Sequence, residues 1–158
     1  MNILTEAHKK LLIELLESGI EFLVIGGYAV NYHGYPRFTV DLDIWLKPDN
    51  MNKQRFIDFI RDQGISNESI ENLEKLDFSE TQAFHFGEQG ARIDFLTKIS
   101  GVEFNEAYAR HAKLPLADKI VPVIRYEDLI INKMISGRPR DKADIDELQK
   151  IRRFKGIE

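Results

Sequence analysis

The stretch Phe22–Lys47, FLVIGGYAVNYHGYPRFTVDLDIWLK, decides how the chain is read. Phe22 to Ile25 is a short apolar run broken by Gly26-Gly27, which predicts a strand entering a tight turn where the backbone can approach a ligand closely. Tyr28 to His33 then reads as a short helix with Gly34 as its left-handed terminator, so backbone N–H groups and the helix dipole point back at the turn and favour an anion there. Val40 to Leu46 reads as a second strand. Asp41 and Asp43 stand two apart on it and leave one face, while Leu42 and Ile44 leave the other. Two carboxylates about 4 Å apart repel by ~4 kcal/mol at an effective dielectric near 20, a penalty that a cation relieves. Hard oxygen ligands of this kind suit Mg²⁺, which commonly takes one or two protein carboxylates and completes its shell with water and substrate phosphate. An Asp-x-Asp pair alone is so common that two solvated aspartates on an edge strand are the default reading of it, so its context carries the argument.

That context is a double-glycine turn separated from Asp41-Leu42-Asp43 by thirteen residues, Tyr28 to Val40. The combination resembles the signature of the nucleotidyltransferase fold, the superfamily of DNA polymerase beta. The fuller wording GGYAVNYHGYPRFTVDLDIWL resembles the small bacterial branch that includes AbiEii-type toxin components of toxin–antitoxin systems. The resemblance implies a third carboxylate on a later strand, and Arg92-Ile93-Asp94-Phe95-Leu96 offers Asp94 in an alternating run.

Around this core, 158 residues with 43% hydrophobic content predict one domain, residues 1–98 forming the catalytic core and 99–158 a linker, an edge strand and C-terminal helices. The fold class expected is α+β, a small mixed sheet packed against helices. The absence of cysteine excludes disulfides and thiolate metal sites and fits a reducing cytoplasm. With 22 basic against 26 acidic residues the net charge is −4, so no global basic field advertises nucleic-acid binding. No apolar run has the length of a membrane span, and the start lacks the plan of a signal peptide.

The flanking elements follow from periodicity. Residues 5–18 form an amphipathic helix capped by Thr5, and 51–64 a second one with Phe56, Ile57, Phe59 and Ile60 inward. Residues 65–82 are weakly patterned, with ENLEKLD (71–77) offering a short helical turn. Gln82–Phe86 and Ala91–Thr97 read as a hairpin joined by Gly87-Glu88-Gln89-Gly90 and carrying Asp94. Ser100–Lys113 reads as a polar linker with His111 solvated, and Ile120–Ile124 as a strand at an edge or bulge because of Pro122.

In the C-terminal third, Leu129, Ile130 and Met134 define an apolar helical face that also carries Lys133. Its ammonium either snorkels to water or meets a triphosphate as a point charge. Gly137 ends that helix and Pro139 opens the next, whose face Asp141, Asp144, Ile145, Leu148 mixes carboxylates with apolar residues. An acid in a first turn is favoured by the helix dipole in any protein. NKMISGRPRDKADIDEL again resembles the AbiEii-type branch, in which a lysine on one helix and a basic-then-acidic segment on the next border the nucleotide pocket.

The resemblance implies metal-assisted nucleotidyl transfer, from a nucleoside triphosphate to a hydroxyl of a protein or RNA acceptor. Asp41, Asp43 and Asp94 would be the catalytic and metal-holding residues with Mg²⁺ or Mn²⁺. Gly26, Gly27, Tyr28, Arg37, Lys133, Asp141 and Asp144 would border the nucleotide. His33 is read as a helix-end residue, since Mg²⁺ prefers oxygen. The chain departs from the superfamily pattern in having Gly26-Gly27-Tyr28 where Gly-Ser is frequent, so backbone amides replace a serine hydroxyl. Its length leaves no room for a second acceptor-binding domain, which implies either an open cleft or a site completed by a partner chain such as an antitoxin. A non-catalytic nucleotide-binding module and a metal-dependent nuclease are the competing readings; the intact carboxylates oppose the first and the glycine turn opposes the second.

Overall fold

A computed structural model describes residues 4–88 and 91–156. Its centre is a mixed six-stranded sheet in the order β3-β4-β2-β1-β6-β5. The strands are β1 (Phe22–Ile25), β2 (Leu42–Leu46), β3 (Ala83–Phe86), β4 (Ile93–Leu96), β5 (Ala112–Leu116) and β6 (Lys119–Val123). The helices are α1 (Glu6–Glu17), α2 (Gly26–Tyr32), α3 (Asn50–Arg61), α4 (Asn67–Glu74), α5 (Phe104–Ala109), α6 (Tyr126–Ser136) and α7 (Pro139–Phe154). The fold class is therefore α+β as expected.

β1 is buried along its whole length, which is why its four residues are continuously apolar rather than alternating. It pairs antiparallel with β2, and β2 pairs parallel with β4 in the register Leu42↔Ile93, Asp43↔Asp94, Ile44↔Phe95. β3 and β4 form the expected antiparallel pair, although Gln89 and Gly90 of its connection lie outside the described residues. On the sheet's β3 side Phe56, Phe84 and Phe86 surround Phe95, with Phe84 and Phe95 stacked at 5.4 Å. Trp45 is fully buried and donates from Nε1 to the Thr97 carbonyl at 3.0 Å, which satisfies its polar atom.

Several expectations change. β2 begins at Leu42, so Asp41 sits on the bend before it rather than inside it. Only 71–74 of ENLEKLD is helical, as the last turn of α4, which starts earlier because Ser66 caps it by accepting from the Ser69 amide. The polar linker contains α5, whose Phe104 packs edge-on against Trp45 at 5.1 Å, and the strand β5. β6 is not an edge strand; β5 covers it. Pro122 is tolerated there because β1 pairs with β6 at Val24↔Val123 alone, so the missing N–H falls outside a regular ladder. Met134 is 63% exposed: the i, i+3, i+4, i+7 stripe of α6 that faces inward runs through Tyr126, Leu129, Ile130 and Lys133 and stops there.

Phe95 sits at the centre of the aromatic cluster and next to Asp94, so its ring supports both the core and a predicted site residue. Phe95→Ala is expected to lower stability by about 3–5 kcal/mol, the range for deleting a buried phenylalanine ring, measured by urea unfolding.

Candidate active site

The two glycines of the turn are required by neighbouring side chains. Gly26 has φ of +65°, and a Cβ there would stand 2.1 Å from Asp43 Oδ2; a Cβ on Gly27 would meet Thr39 Oγ1 at 2.3 Å. Glycine thus lets β1 and α2 close over Asp43 and Thr39, which the sequence-level argument about ligand approach did not anticipate. α2 begins at Gly26, two residues earlier than its pattern suggests.

The parallel register sets Asp94 directly beside Asp43 on adjacent strands. With Asp41 they line one cleft of about 380 Å³, together with Gly26, Gly27 and Arg37. Burial, followed by the charge and hydrogen bond of Asp94 and the charge of Asp41, raises the Asp43 pKa from 3.8 to about 7 against the lowering influence of Lys133. Arg92, two residues before Asp94 on the same face, lies 3.1 Å from Asp94 and 3.6 Å from Asp41. This contact is ionic only, for Arg92 Nε makes no hydrogen bond, and Asp41 Oδ1 is likewise buried without a partner. A carboxylate cluster with an orphaned oxygen and a proton-retaining member is short of positive charge. Among the described residues no three His, Cys, Asp or Glu side chains already stand as a ready ligand set. The chemistry nonetheless fits a hard divalent ion, which needs only one or two carboxylates from the protein.

The opposite wall comes from the C-terminal helices. Lys133 is 4% exposed and does not snorkel: its ammonium is 3.2 Å from Asp141 Oδ1 and 2.9 Å from Asp144 Oδ2. Arg37 donates from Nε and Nη2 to Asp144 at 2.7 and 3.0 Å. Asp144 therefore lies behind the cleft and positions Arg37 and Lys133, whereas Asp141 lines it. Burial pushes Asp141 up, but hydrogen bonding from Arg138 and the charge and hydrogen bond of Lys133 outweigh it and hold the carboxyl at about 2. Asp141 also accepts from the Arg138 amide at 3.2 Å, so it caps α7 as well.

The loop bearing Arg37 is fixed from α2, where Asn31 Nδ2 donates to the carbonyls of Tyr35 and Arg37 at 2.9 and 2.8 Å. His33 is a helix-end residue as expected; its Nε2 is 2.7 Å from the Ile124 carbonyl. Tyr28 does not line the cleft, although burial and then the nearby Asp41 charge raise the pKa of its hydroxyl. Its ring packs edge-on with His8 at 5.5 Å and borders a separate cavity of about 420 Å³ lined mainly by Leu12, Val24, Leu114 and Val123. That cavity holds none of the acidic or basic side chains of the cleft, so the chemistry belongs to the smaller space. Arg92, Arg138, Arg140, Phe38 and Thr39 also line the cleft, and sequence reasoning did not single them out. Arg92 was readable, because Arg-x-Asp on a strand puts both charges on one face.

The family described as "Nucleotidyl transferase of unknown function (DUF2204)" matches residues 4–158. The chain belongs to this family. Several solved structures share the fold of this chain, two of them as follows. The lincosamide antibiotic adenylyltransferase LnuA, lincomycin-bound, aligns with a TM-score of 0.56 at 16% identity, covering 95% of this chain and 99% of that one. An antigenic nucleotidyltransferase-like protein from Paracoccidioides brasiliensis aligns with a TM-score of 0.52 at 15% identity, covering 90% and 73%. No curated protein matches the chain. Among the described residues no helix is long and apolar enough to cross a membrane.

The site yields two predictions. Between pH 3.8 and about 7 the folded protein retains a proton on Asp43 that the unfolded chain has released. Stability in chelator therefore falls as pH rises through that window, by roughly 2–4 kcal/mol, and the fall is absent in Asp43→Asn. Urea unfolding of both proteins across the window tests this; parallel curves rule it out. Lys133→Met preserves the stem volume yet leaves two buried carboxylates short of a cation, so it should destabilise the fold by about 3 kcal/mol or more. Thermal and urea melts matching wild type would show that the ammonium is dispensable there.

Proposed function

We propose that the chain is a metal-assisted nucleotidyltransferase that moves a nucleoside monophosphate from a triphosphate to a hydroxyl of a protein or RNA acceptor. The observation that carries this reading is the Asp43↔Asp94 pair, set side by side in a cleft whose rim supplies Arg37, Arg138 and Arg140. Asp41, Asp43 and Asp94 would hold Mg²⁺, or Mn²⁺ in its place. The ion, when bound, neutralises charge on the phosphoryl oxygens and helps ionise the attacking hydroxyl. The Gly26-Gly27 backbone would receive phosphate oxygens. Arg138 donates from Nε and Nη2 to Asp141 at 2.9 and 3.3 Å, yet with 74% of its side chain exposed it is more accessible to a phosphate than Lys133, which is buried between Asp141 and Asp144.

The wording of the glycine turn and of the start of α7 supports placement near the AbiEii-type branch. On that reading the protein is a cytoplasmic toxin, with an antitoxin as its partner chain. A second reading, a small hydroxylated acceptor, is supported by the end-to-end alignment with a lincosamide adenylyltransferase of matching extent.

Calorimetry with each nucleoside triphosphate should show binding with Mg²⁺ that disappears in excess chelator; equal affinity in both conditions removes the reading. Asp94→Asn should abolish transfer and most of the stabilisation given by Mg²⁺–nucleotide. In chelator at pH 8 the same variant should melt higher than wild type by about 1 kcal/mol. The relief of Asp43 exceeds the loss of a partly exposed contact with Arg92, which is worth ~1 kcal/mol or less. If Asp94→Asn melts lower in chelator, or gains from Mg²⁺–nucleotide as wild type does, Asp94 is not part of the site.

A further inference from the structure

Asp43 is reached from two sides. Besides the cleft already described, a second space of about 560 Å³ opens onto Gly26, Asp43, Lys133 and Arg138 from the direction of the turn that follows β4. The two clefts share these four residues and then diverge. Their linings differ in kind. The first continues toward Arg37, Arg92 and Arg140, with Asp41, Asp94 and Asp141 among them. In the second, the part not shared contains one charged side chain, Lys98; the rest is polar but neutral, from Thr81, Ser100, Asn132 and Ser136, over apolar Ile25, Leu96 and Ile99. Its wall is held in place, because Asn132 Nδ2 donates to the Ser100 carbonyl at 3.0 Å and ties α6 to the 99–102 turn.

The distribution of charge sorts the ligands. A triphosphate carries several negative charges and is matched by guanidinium groups, which the first cleft supplies. A nucleic-acid strand lying in the second cleft would need cations along its backbone, and the unshared lining offers Lys98 alone. Neutral hydrogen-bonding groups over an apolar floor, in a volume within the range of small-ligand pockets, suit an uncharged group with one polar and one apolar side.

We infer that the second cleft seats the acceptor, and that the acceptor presents an uncharged hydroxyl group with an apolar face, a peptide hydroxyl side chain or a small sugar-like alcohol, rather than RNA. The inference rests on the nucleotidyl transfer proposed above and narrows its acceptor class. The hydroxyl oxygen forms a bond to the α-phosphorus of the triphosphate, the bond from that phosphorus to the bridging oxygen breaks, pyrophosphate leaves, and the hydroxyl proton passes to water. Asp43, common to both clefts, lies where the two ligands meet.

The test uses two variants that fill the second cleft from exposed positions, Thr81→Trp and Ser100→Trp. Triphosphate binding with Mg²⁺ is read by calorimetry. Transfer from labelled triphosphate is read on three probes: a library of Ser-, Thr- and Tyr-centred peptides, a panel of small glycosides, and total tRNA. Triphosphate affinity should be unchanged in both variants, which also shows that they fold. Label should enter peptides or glycosides, whichever arm responds naming the source. KM for that acceptor should rise about tenfold or more with kcat little altered. Labelling of tRNA alone, transfer by both variants at the wild-type KM, or triphosphate binding with no probe labelled each overturns the acceptor assignment and leaves nucleotide binding standing. Wild-type protein that binds no triphosphate overturns the reading beneath it instead.

Discussion

One buried carboxylate, Asp144, holds the two halves of the site together. It receives two hydrogen bonds from Arg37, in the loop before β2, and lies 2.9 Å from the Lys133 ammonium on α6. Its side chain is 1% exposed, so neither partner's charge is replaced by water if the contact is lost. Burying such a group is costly, and a buried ion pair is poor evidence of stability as such. What it supplies is position. Arg37 is anchored at its backbone by Asn31 and at its guanidinium by α7, so the loop between α2 and β2 is pinned at its middle.

With that loop fixed, the cleft depends on close approach. Gly26 and Gly27 leave room for Asp43 and Thr39, and β2 and β4 run parallel so that Asp43 and Asp94 stand in register. The result is an excess of carboxylate over accessible positive charge around Asp43, partly balanced by Arg92. Electrostatically the cluster is incomplete on its own, while the surrounding arginines make the approach attractive to an anion. A polyanion accompanied by a divalent cation answers both conditions.

Much of this was legible in the sequence, for identifiable reasons. Local signals transferred well: Thr5 caps α1, β1 is Phe22–Ile25, Gly137 terminates α6 in the left-handed conformation and Pro139 opens α7. Asp94 was singled out because the resemblance implied a third carboxylate on a later strand and the run around it alternates; β4 indeed carries it, in register with Asp43. Long-range pairing was not legible. That Lys133 would sit between two aspartates eight and eleven residues later, rather than reach water, depends on the angle at which α7 returns across α6. The aromatic Phe104 gave α5 no periodic signal because the helix has six residues and docks through one ring on Trp45. Pro122 misled because its rule concerns hydrogen-bond ladders, and the ladder with β1 is one pair long.

The order of the chain gives Asp144 a temporal meaning. Gly26, Gly27, Asp41 and Asp43 leave the ribosome first, yet Asp94 arrives only after α3, α4 and β3, and Asp144 only with α7. Until α7 packs, Arg37 and Lys133 have no Asp144 between them and the far wall of the cleft is absent. Contacts this distant in sequence close late, since the chain between them must first be ordered. A chain cut before α7 therefore carries the three carboxylates without a formed cleft, and the wall holding Arg37 comes into being only once α7 has been made and packed.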